Sequence, residues 1–389
     1  MPARQMLRRL ALLWLSGAAL RLAILAVPPV IPLIRSDLDL SATALGLLSG
    51  LPVLLFAVAA LPGSILIARL GGRMTLVGGL FLAAMGAALR GIGAGAGTLY
   101  AATAVMGAGV AIMQPSMPVL TREWLPSRIG FATAVYSNGL LVGEILPVWL
   151  AVPVVMPLLG GSWRFELAIW SLPVLLIGVL VLLLGPSAAS DPPRGSTVQA
   201  WWPDWRNPLI WRLGILFGSV NAVYFSTNAF LPAYLSNTGR GDLIAAALTA
   251  LNLGQLPVSL AMLPVATRLE RRAWPYVVAG TTMTAAVIGM VSMSGVWVVF
   301  CAALLGCAGA ASLILGLTLP PLLSAPGQVG RTSAAMFSIS YASAMIVALL
   351  CGALWDLTGL PGSAFAPIGF CTLVLSFSAL GLKAAKQLR

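Results

Sequence analysis

Long apolar segments separated by short loops account for most of this sequence. A helix needs roughly 20 apolar residues to cross a bilayer core of about 30 Å. Lipid offers no hydrogen bonds to backbone groups, so such segments must be helices unless they close into a barrel. Of the 389 residues, 59% are hydrophobic and 8% are charged, whereas soluble domains carry about 25% charged residues. The sequence therefore predicts an all-α membrane protein.

Turns and charges divide the chain into twelve predicted spans, which we number in chain order. They cover residues 10–34, 42–68, 74–93, 97–120, 128–157 and 165–185, then 208–236, 243–267, 274–293, 296–323, 331–356 and 364–383. We expect two six-helix bundles, at 1–185 and 208–389, joined by a polar cytoplasmic linker at 186–207.

The two halves resemble each other. Arg21 in span 1 corresponds to Asn221 in span 7, and Arg128 before span 5 corresponds to Arg331 before span 11, at offsets of 200 and 203 residues. Two six-helix halves related as parallel repeats are the architecture of one large transporter class, in which the substrate site lies near the midplane. The repeat therefore favours a transporter.

The basic residues are distributed unevenly over the loops. The formal net charge is +12, but these charges are dispersed in short loops, which argues against nucleic-acid binding. With the N-terminus inside, seventeen of the 22 Lys and Arg residues lie on the cytoplasmic side and four on the other. This bias predicts a multi-pass protein of the bacterial inner membrane with both termini cytoplasmic.

Several polar side chains interrupt the apolar spans. At a rise of 1.5 Å per residue, Arg21 lies about 18 Å deep, within a polar layer roughly 10 Å thick near the midplane. Intramembrane polar groups are costly and mark functional positions. The residues that we predict to bind substrate are Arg21, Gln114, Asn138, Asn221, Tyr224, Gln255 and Tyr341.

Arg21 and Glu144 are the two charges expected within that layer. The planar fork of Arg21 suits a carboxylate or another small oxyanion, but a structural pair with Glu144 is the alternative. Glu144 is predicted to be the only acid inside the membrane, as a proton carrier, as a counter-ion to Arg21, or as a group facing a wet cavity. Gly139 and Gly143 are expected to allow close helix packing, and Arg90 is expected to snorkel near the outer face.

Other classes of site are not indicated. The sequence has no His, and its four Cys lack metal-ligand spacing, so we expect no metal and no cofactor. There is no phosphate-binding glycine loop with a lysine and no nucleophile–base set, so we expect no enzyme. The expected partners are the lipid bilayer and a small-molecule substrate, for which we favour an anion. Protons are a further candidate partner. We expect the protein to be a monomer.

One loop and three further stretches carry a family resemblance. The loop Gly63–Arg73 resembles the signature G-x-x-x-D-R-x-G-x-R of the major facilitator superfamily, in which Arg69, Gly71 and Arg73 match and Ala68 replaces the acid. The resemblance implies the twelve-helix major facilitator fold and a role for this loop in conformational change.

A narrower resemblance is to the cyanate and 2-nitroimidazole transporter branch. It is carried by the stretches 86–90, 107–118 and 163–173 and by the arginine at position 21. The branch implies a small anion or small polar molecule as substrate. We therefore predict a secondary transporter of a small anion or polar organic acid, working by alternating access. The alternatives are a drug exporter of the same fold and a non-transporting membrane sensor.

Overall fold

The computed structural model describes residues 3–93, 95–186, 202–325 and 327–386. Within these ranges the chain is helical, as the hydropathy predicts, and contains no strand. Most of the predicted linker, at 187–201, lies outside the described residues. The α-helices are α1 (Ala3–Leu22), α2 (Val27–Leu38), α3 (Ala42–Ile92), α4 (Ala96–Met113), α5 (Ser116–Trp124), α6 (Ile129–Leu150), α7 (Met156–Leu158), α8 (Trp163–Ile169), α9 (Ser171–Leu184), α10 (Pro208–Asn237), α11 (Ile244–Leu253), α12 (Gln255–Leu269), α13 (Trp274–Ser292), α14 (Val296–Leu323), α15 (Val329–Thr358) and α16 (Phe365–Lys386).

Eleven of the described helical segments are long and apolar enough to cross a membrane. The difference from the twelve predicted spans arises in α3, which contains both span 2 and span 3. Gly71 interrupts that helix with φ 80° and ψ 164°, a backbone conformation that other residues rarely adopt. The interruption at Gly71 separates the two predicted spans, so the fold agrees with twelve spans.

The chain forms two compact units. Unit 1 comprises Met1–Pro203 with Pro321–Ala334, and unit 2 comprises Asp204–Pro320 with Ala335–Arg389. The short segment Pro321–Ala334 belongs to unit 1 because its neighbours lie there: Arg122 Nη1 donates a hydrogen bond of 2.8 Å to the Ser324 carbonyl. In unit 1, α3 packs against α4, α8 and α9, and α1 packs against α6; in unit 2, α16 packs against α10 and α13.

Span 1 is interrupted between α1 and α2, and proline explains why. Pro28 has no N–H, so the Ile24 carbonyl lacks the donor that an unbroken helix would give it. The Val27 N–H lies 3.5 Å from that carbonyl instead. The Ala23 carbonyl is thereby left without its own helical donor, and the helix opens directly after Leu22.

Two other spans are interrupted beside predicted polar residues. Span 4 opens between α4 and α5 at Gln114 and Pro115, where the Gln114 carbonyl accepts from the Met117 N–H at 3.2 Å because Pro118 has none to offer. Span 8 opens at Gly254, directly before Gln255. Interrupted helices are tolerated at membrane depth where they are buried in protein or line a cavity.

Helix α6 packs against α1 through glycine. A Cβ atom added at Gly143 would lie 2.3 Å from the Ala18 carbonyl oxygen, and one at Gly139 would lie 2.1 Å from that of Trp14. On the facing helix, a Cβ at Gly17 would lie 2.0 Å from the Tyr136 carbonyl oxygen. The prediction that Gly139 and Gly143 permit close packing is confirmed.

We expect Gly143→Ala to destabilise the protein by about 1–3 kcal/mol, because the added methyl group overlaps backbone that cannot move aside. The measurement is thermal unfolding of the purified protein in detergent. The matched control is Gly78→Ala, since Gly78 lies in helix α3 with no atom within 4 Å of an added Cβ. Equal melting temperatures for the two variants would contradict this account of the α1–α6 contact.

Candidate functional site

Arg21 and Glu144 form a buried ion pair in unit 1. Arg21 lies in the last turn of α1, and its Nε is 3.1 Å from Glu144 Oε1 on α6, with side-chain exposures of 10% and 14%. The Arg21 guanidinium also lies over the Phe56 ring, 5.7 Å from its centroid. The pairing that the sequence left as one alternative is therefore present.

The break in span 1 fixes the backbone at Arg21. The Arg21 carbonyl accepts from the N–H groups of both Ile24 and Leu25, each at 3.0 Å. Arg21 thus lies in the last turn of α1, directly before the interruption of span 1.

Two further predicted residues lie in unit 1. The amide oxygen of Asn138 accepts a 2.9 Å hydrogen bond from Trp14 Nε1. This bond joins α6 to α1 about two helical turns before the ion pair in each helix. Gln114 is 6% exposed and lies at the interruption of span 4. Of the unit 1 candidates, Asn138 therefore shares the α1–α6 contact with the ion pair, whereas Gln114 lies on a different span.

Unit 2 places Asn221 and Tyr341 in its core. Asn221 Nδ2 donates a 2.8 Å hydrogen bond to Ser340 Oγ, which joins α10 to α15. The Tyr341 ring stacks on Phe337 at 6.3 Å between centroids and lies 6.2 Å from Phe225.

A neutral polar cluster joins α10 to α11. Tyr224 donates its hydroxyl to Asn252 Oδ1 at 2.7 Å, and Asn252 Nδ2 donates to Asn228 Oδ1 at 3.0 Å. Gln255, 4% exposed, follows at the interruption of span 8. Sequence reasoning missed Asn252, although an amide in an apolar span was the available signal.

The signature loop has one contact that the sequence did not predict. Arg73 donates from Nη2 to the Leu182 carbonyl and from Nε to the Val181 carbonyl at 3.4 Å, so it caps the last turn of α9. Arg69 is exposed. Gly71 supplies the left-handed backbone that turns the chain from one span into the next.

Two predictions about charge in unit 1 are wrong. Arg90 was expected to snorkel at the outer face but is 1% exposed, because the end of α3 is covered by α8 and by the turn after α1. Glu144 was expected to be the only intramembrane acid, yet Glu166 is fully buried at 0% exposure in the first turn of α8. Depth counted along a helix does not reveal which face a residue occupies.

The two units therefore offer different chemistry. Unit 1 carries a guanidinium and a carboxylate in contact with each other. Unit 2 carries neutral hydroxyl and amide groups that hydrogen-bond to one another. Neither set contains a nucleophile beside a base, which is the arrangement that covalent catalysis needs.

Comparison with known proteins identifies the family. The sequence profile of the Major Facilitator Superfamily matches residues 13–250. Relatives include the cyanate transport protein CynX of Escherichia coli (strain K12), 27% identical with 90% of each chain covered, and the 2-nitroimidazole transporter of the same organism, 29% identical over 60% of this chain and 59% of the relative.

Solved structures give the same fold. The crystal structure of the transporter FucP in the outward conformation aligns with a TM-score of 0.75 at 17% identity, covering 96% of this chain and 98% of the other. With the profile match over more than half of its length, this chain belongs to the Major Facilitator Superfamily.

Proposed function

We propose that this Major Facilitator Superfamily transporter carries a small anion, or a small polar molecule with a carboxylate-like pair of oxygens, and that Arg21 binds it. The observation that carries the proposal is the ion pair between Arg21 and Glu144, at 3.1 Å in the core of unit 1. Intramembrane charges of this kind mark substrate or ion pathways. A guanidinium already held by a carboxylate has the geometry to hold an anionic substrate in its place.

The names of the relatives support this substrate class. Cyanate is a small linear anion, and 2-nitroimidazole presents a planar nitro group whose two oxygens share negative charge. An arginine fork can donate two parallel N–H bonds to such a pair of oxygens, and one to the end of a linear anion.

Glu144 holds Arg21 until substrate arrives. A cation buried without a partner is costly, so the carboxylate stabilises the unliganded protein. When an anion takes its place at Arg21, Glu144 loses its counter-ion, and a proton that enters with the anion would restore the charge balance of the site. Charge exchange at one arginine therefore supports proton coupling.

The remaining candidate residues have supporting roles in the proposal. We propose that Gln114 and Asn138 in unit 1, and Asn221, Tyr224, Gln255 and Tyr341 in unit 2, contact substrate through neutral dipoles. We also propose that the protein acts as a monomer in the bacterial inner membrane with both termini cytoplasmic, since the arginine-rich loops fall on one side in that orientation.

A thermal-shift screen of the purified protein separates the three candidate functions. Cyanate, formate and acetate should raise the melting temperature in a concentration-dependent way, because a ligand that binds the folded state stabilises it. Stabilisation by neutral drugs alone would favour an exporter. No stabilisation by either class would favour a membrane sensor.

We expect Arg21→Lys to reduce anion uptake into proteoliposomes by about tenfold or more, because an ammonium keeps the charge but loses the paired charge-assisted hydrogen bonds. The control is Arg164→Lys, since Arg164 also pairs with an acid, Asp37, at 2.7 Å but is 30% exposed. Uptake equal to that of the control would rule out recognition by the fork.

We expect Glu144→Gln to destabilise the unliganded protein by about 3 kcal/mol or more, since it leaves Arg21 buried without its counter-ion. The anion-induced rise in melting temperature should then exceed that of the wild type, because Arg21 no longer has to exchange partners. A smaller rise than in the wild type would mean that Glu144 helps to bind the substrate rather than competing with it.

A further inference from the structure

Unit 1 contains two further buried ionisable side chains, Arg90 and Glu166, which the proposed site does not use. Arg90 is 1% exposed and Glu166 is 0% exposed. Helix α8 lies close against the end of α3, because a Cβ added at Gly91 would come within 2.5 Å of the Ala168 side chain. Burying ionisable side chains within the membrane costs free energy, and such residues usually mark a functional position.

Arg90 holds the turn that follows Arg21. Its Nη2 donates to the carbonyl of Ala23, the group left without a helical donor when the chain opens ahead of Pro28. The same turn contains the N–H groups that bind the Arg21 carbonyl. The position of Arg90 is therefore linked to the backbone at Arg21 through one hydrogen bond and two residues of chain.

Glu166 is near Arg90 but not paired with it. One oxygen, Oε1, accepts from Trp170 Nε1 at 2.9 Å, and the other, Oε2, has no hydrogen-bond partner. Arg90 likewise has Nε and Nη1 without partners. Among the residues that the structure describes, Arg90 and Glu166 do not form an ion pair, although Arg21 and Glu144 do.

A protonated Glu166 accounts for this arrangement. A neutral carboxyl group does not attract the guanidinium strongly, so Arg90 is free to cap Ala23. An ionised and fully buried carboxylate would gain most by drawing the unused Arg90 nitrogens towards Oε2. Glu144 has the opposite environment, because its cation lies 3.1 Å away.

Other charges around Glu166 do not change this balance. Helix α9 has no charged residue. Helix α2 carries Arg35 and Asp37, both exposed, and Asp37 is paired with Arg164 of α8 itself. Arg90 is the charged group of α3 that acts electrostatically on Glu166.

We propose that Glu166 is a proton-binding site coupled to anion binding at Arg21 through Arg90 and the Ala23 carbonyl. The proposal rests on the proposed function, since it needs an anion at Arg21. With all four groups ionised, the buried charges of Arg21, Glu144, Arg90 and Glu166 cancel. A proton on Glu166 makes their sum +1, which an incoming monovalent anion neutralises. Proton and anion therefore bind cooperatively, and each raises the affinity for the other by the same factor.

The first test uses the wild-type protein in weakly buffered detergent solution at neutral pH. The arrangement described above is that of the protonated protein, and at neutral pH the unliganded protein also populates the form with an ionised Glu166. Adding cyanate should therefore raise the pH, because anion binding draws a proton onto Glu166. A fluorescent pH indicator and calorimetry in buffers of different ionisation enthalpy both measure this uptake. Cyanate binding without proton uptake would overturn the proposal while leaving the proposed function intact; absence of cyanate and other anion binding would defeat both.

The second test assigns the proton to a residue. Wild-type affinity for cyanate should fall by about tenfold between mildly acid and neutral pH, a typical coupling between two sites. Glu166→Gln, which imitates the protonated side chain, should keep the acid-pH affinity at both values. Glu166→Asp should restore the pH dependence, which loss of a purely structural residue would not predict.

Two controls complete the assignment. Asp37→Asn removes an exposed acid from the same end of the unit and should leave the pH dependence unchanged. Glu144→Gln should retain a pH-dependent affinity if Glu166 carries the proton. Retention of the pH dependence in Glu166→Gln, with its loss in Glu144→Gln, would transfer the proton site to Glu144 and refute the proposal.

Discussion

The close approach of α1 and α6 is the constraint on which unit 1 depends. Arg21 and Glu144 can be buried only as a pair, because a single charge at that depth would be left without compensation. Gly17, Gly139 and Gly143 bring the backbones of these two helices into direct contact, and the ion pair at 3.1 Å joins the same two helices.

Proline determines where span 1 is interrupted, and a tertiary contact provides the hydrogen bond that the interrupted backbone lacks. Pro28 removes the donor that would have continued span 1 across the membrane. The Ala23 carbonyl, which loses its helical donor, accepts a hydrogen bond from Arg90 of a different helix, α3. A buried carbonyl in lipid must find a donor, so the break in span 1 and the burial of Arg90 belong to one structural solution.

The sequence predicted what hydropathy and chemical type can specify. It placed the spans, chose Arg21 for its fork, and offered Glu144 as its partner, since both are rare charges at similar depth. It misjudged Arg90 and Glu166 because a count of residues from the membrane surface gives depth and not the face of a helix. Glu166 lies on α8, which packs closely against α3 where Gly91 meets Ala168. The residue pattern within either segment does not predict such a contact between segments.

The hydrogen-bonded cluster of unit 2 illustrates the same limit. Tyr224 and Asn228 stand four residues apart on α10, so their proximity could be anticipated from helical periodicity. Their partner Asn252 comes from α11, and its contribution depends on how α10 and α11 pack. Asn221 was proposed from the internal repeat, whereas Ser340, which accepts its hydrogen bond, is a common residue with no distinguishing signal.

The allocation of Pro321–Ala334 to unit 1 has a topological consequence. The polypeptide passes between the units three times, after Pro203, after Pro320 and after Ala334. Cutting the chain within 186–207 would therefore leave two covalent connections in place. A fragment made from the second half alone would carry a segment whose packing neighbours, Arg122 among them, remain on the other fragment. The sequence repeat and the folded units do not share the same boundaries.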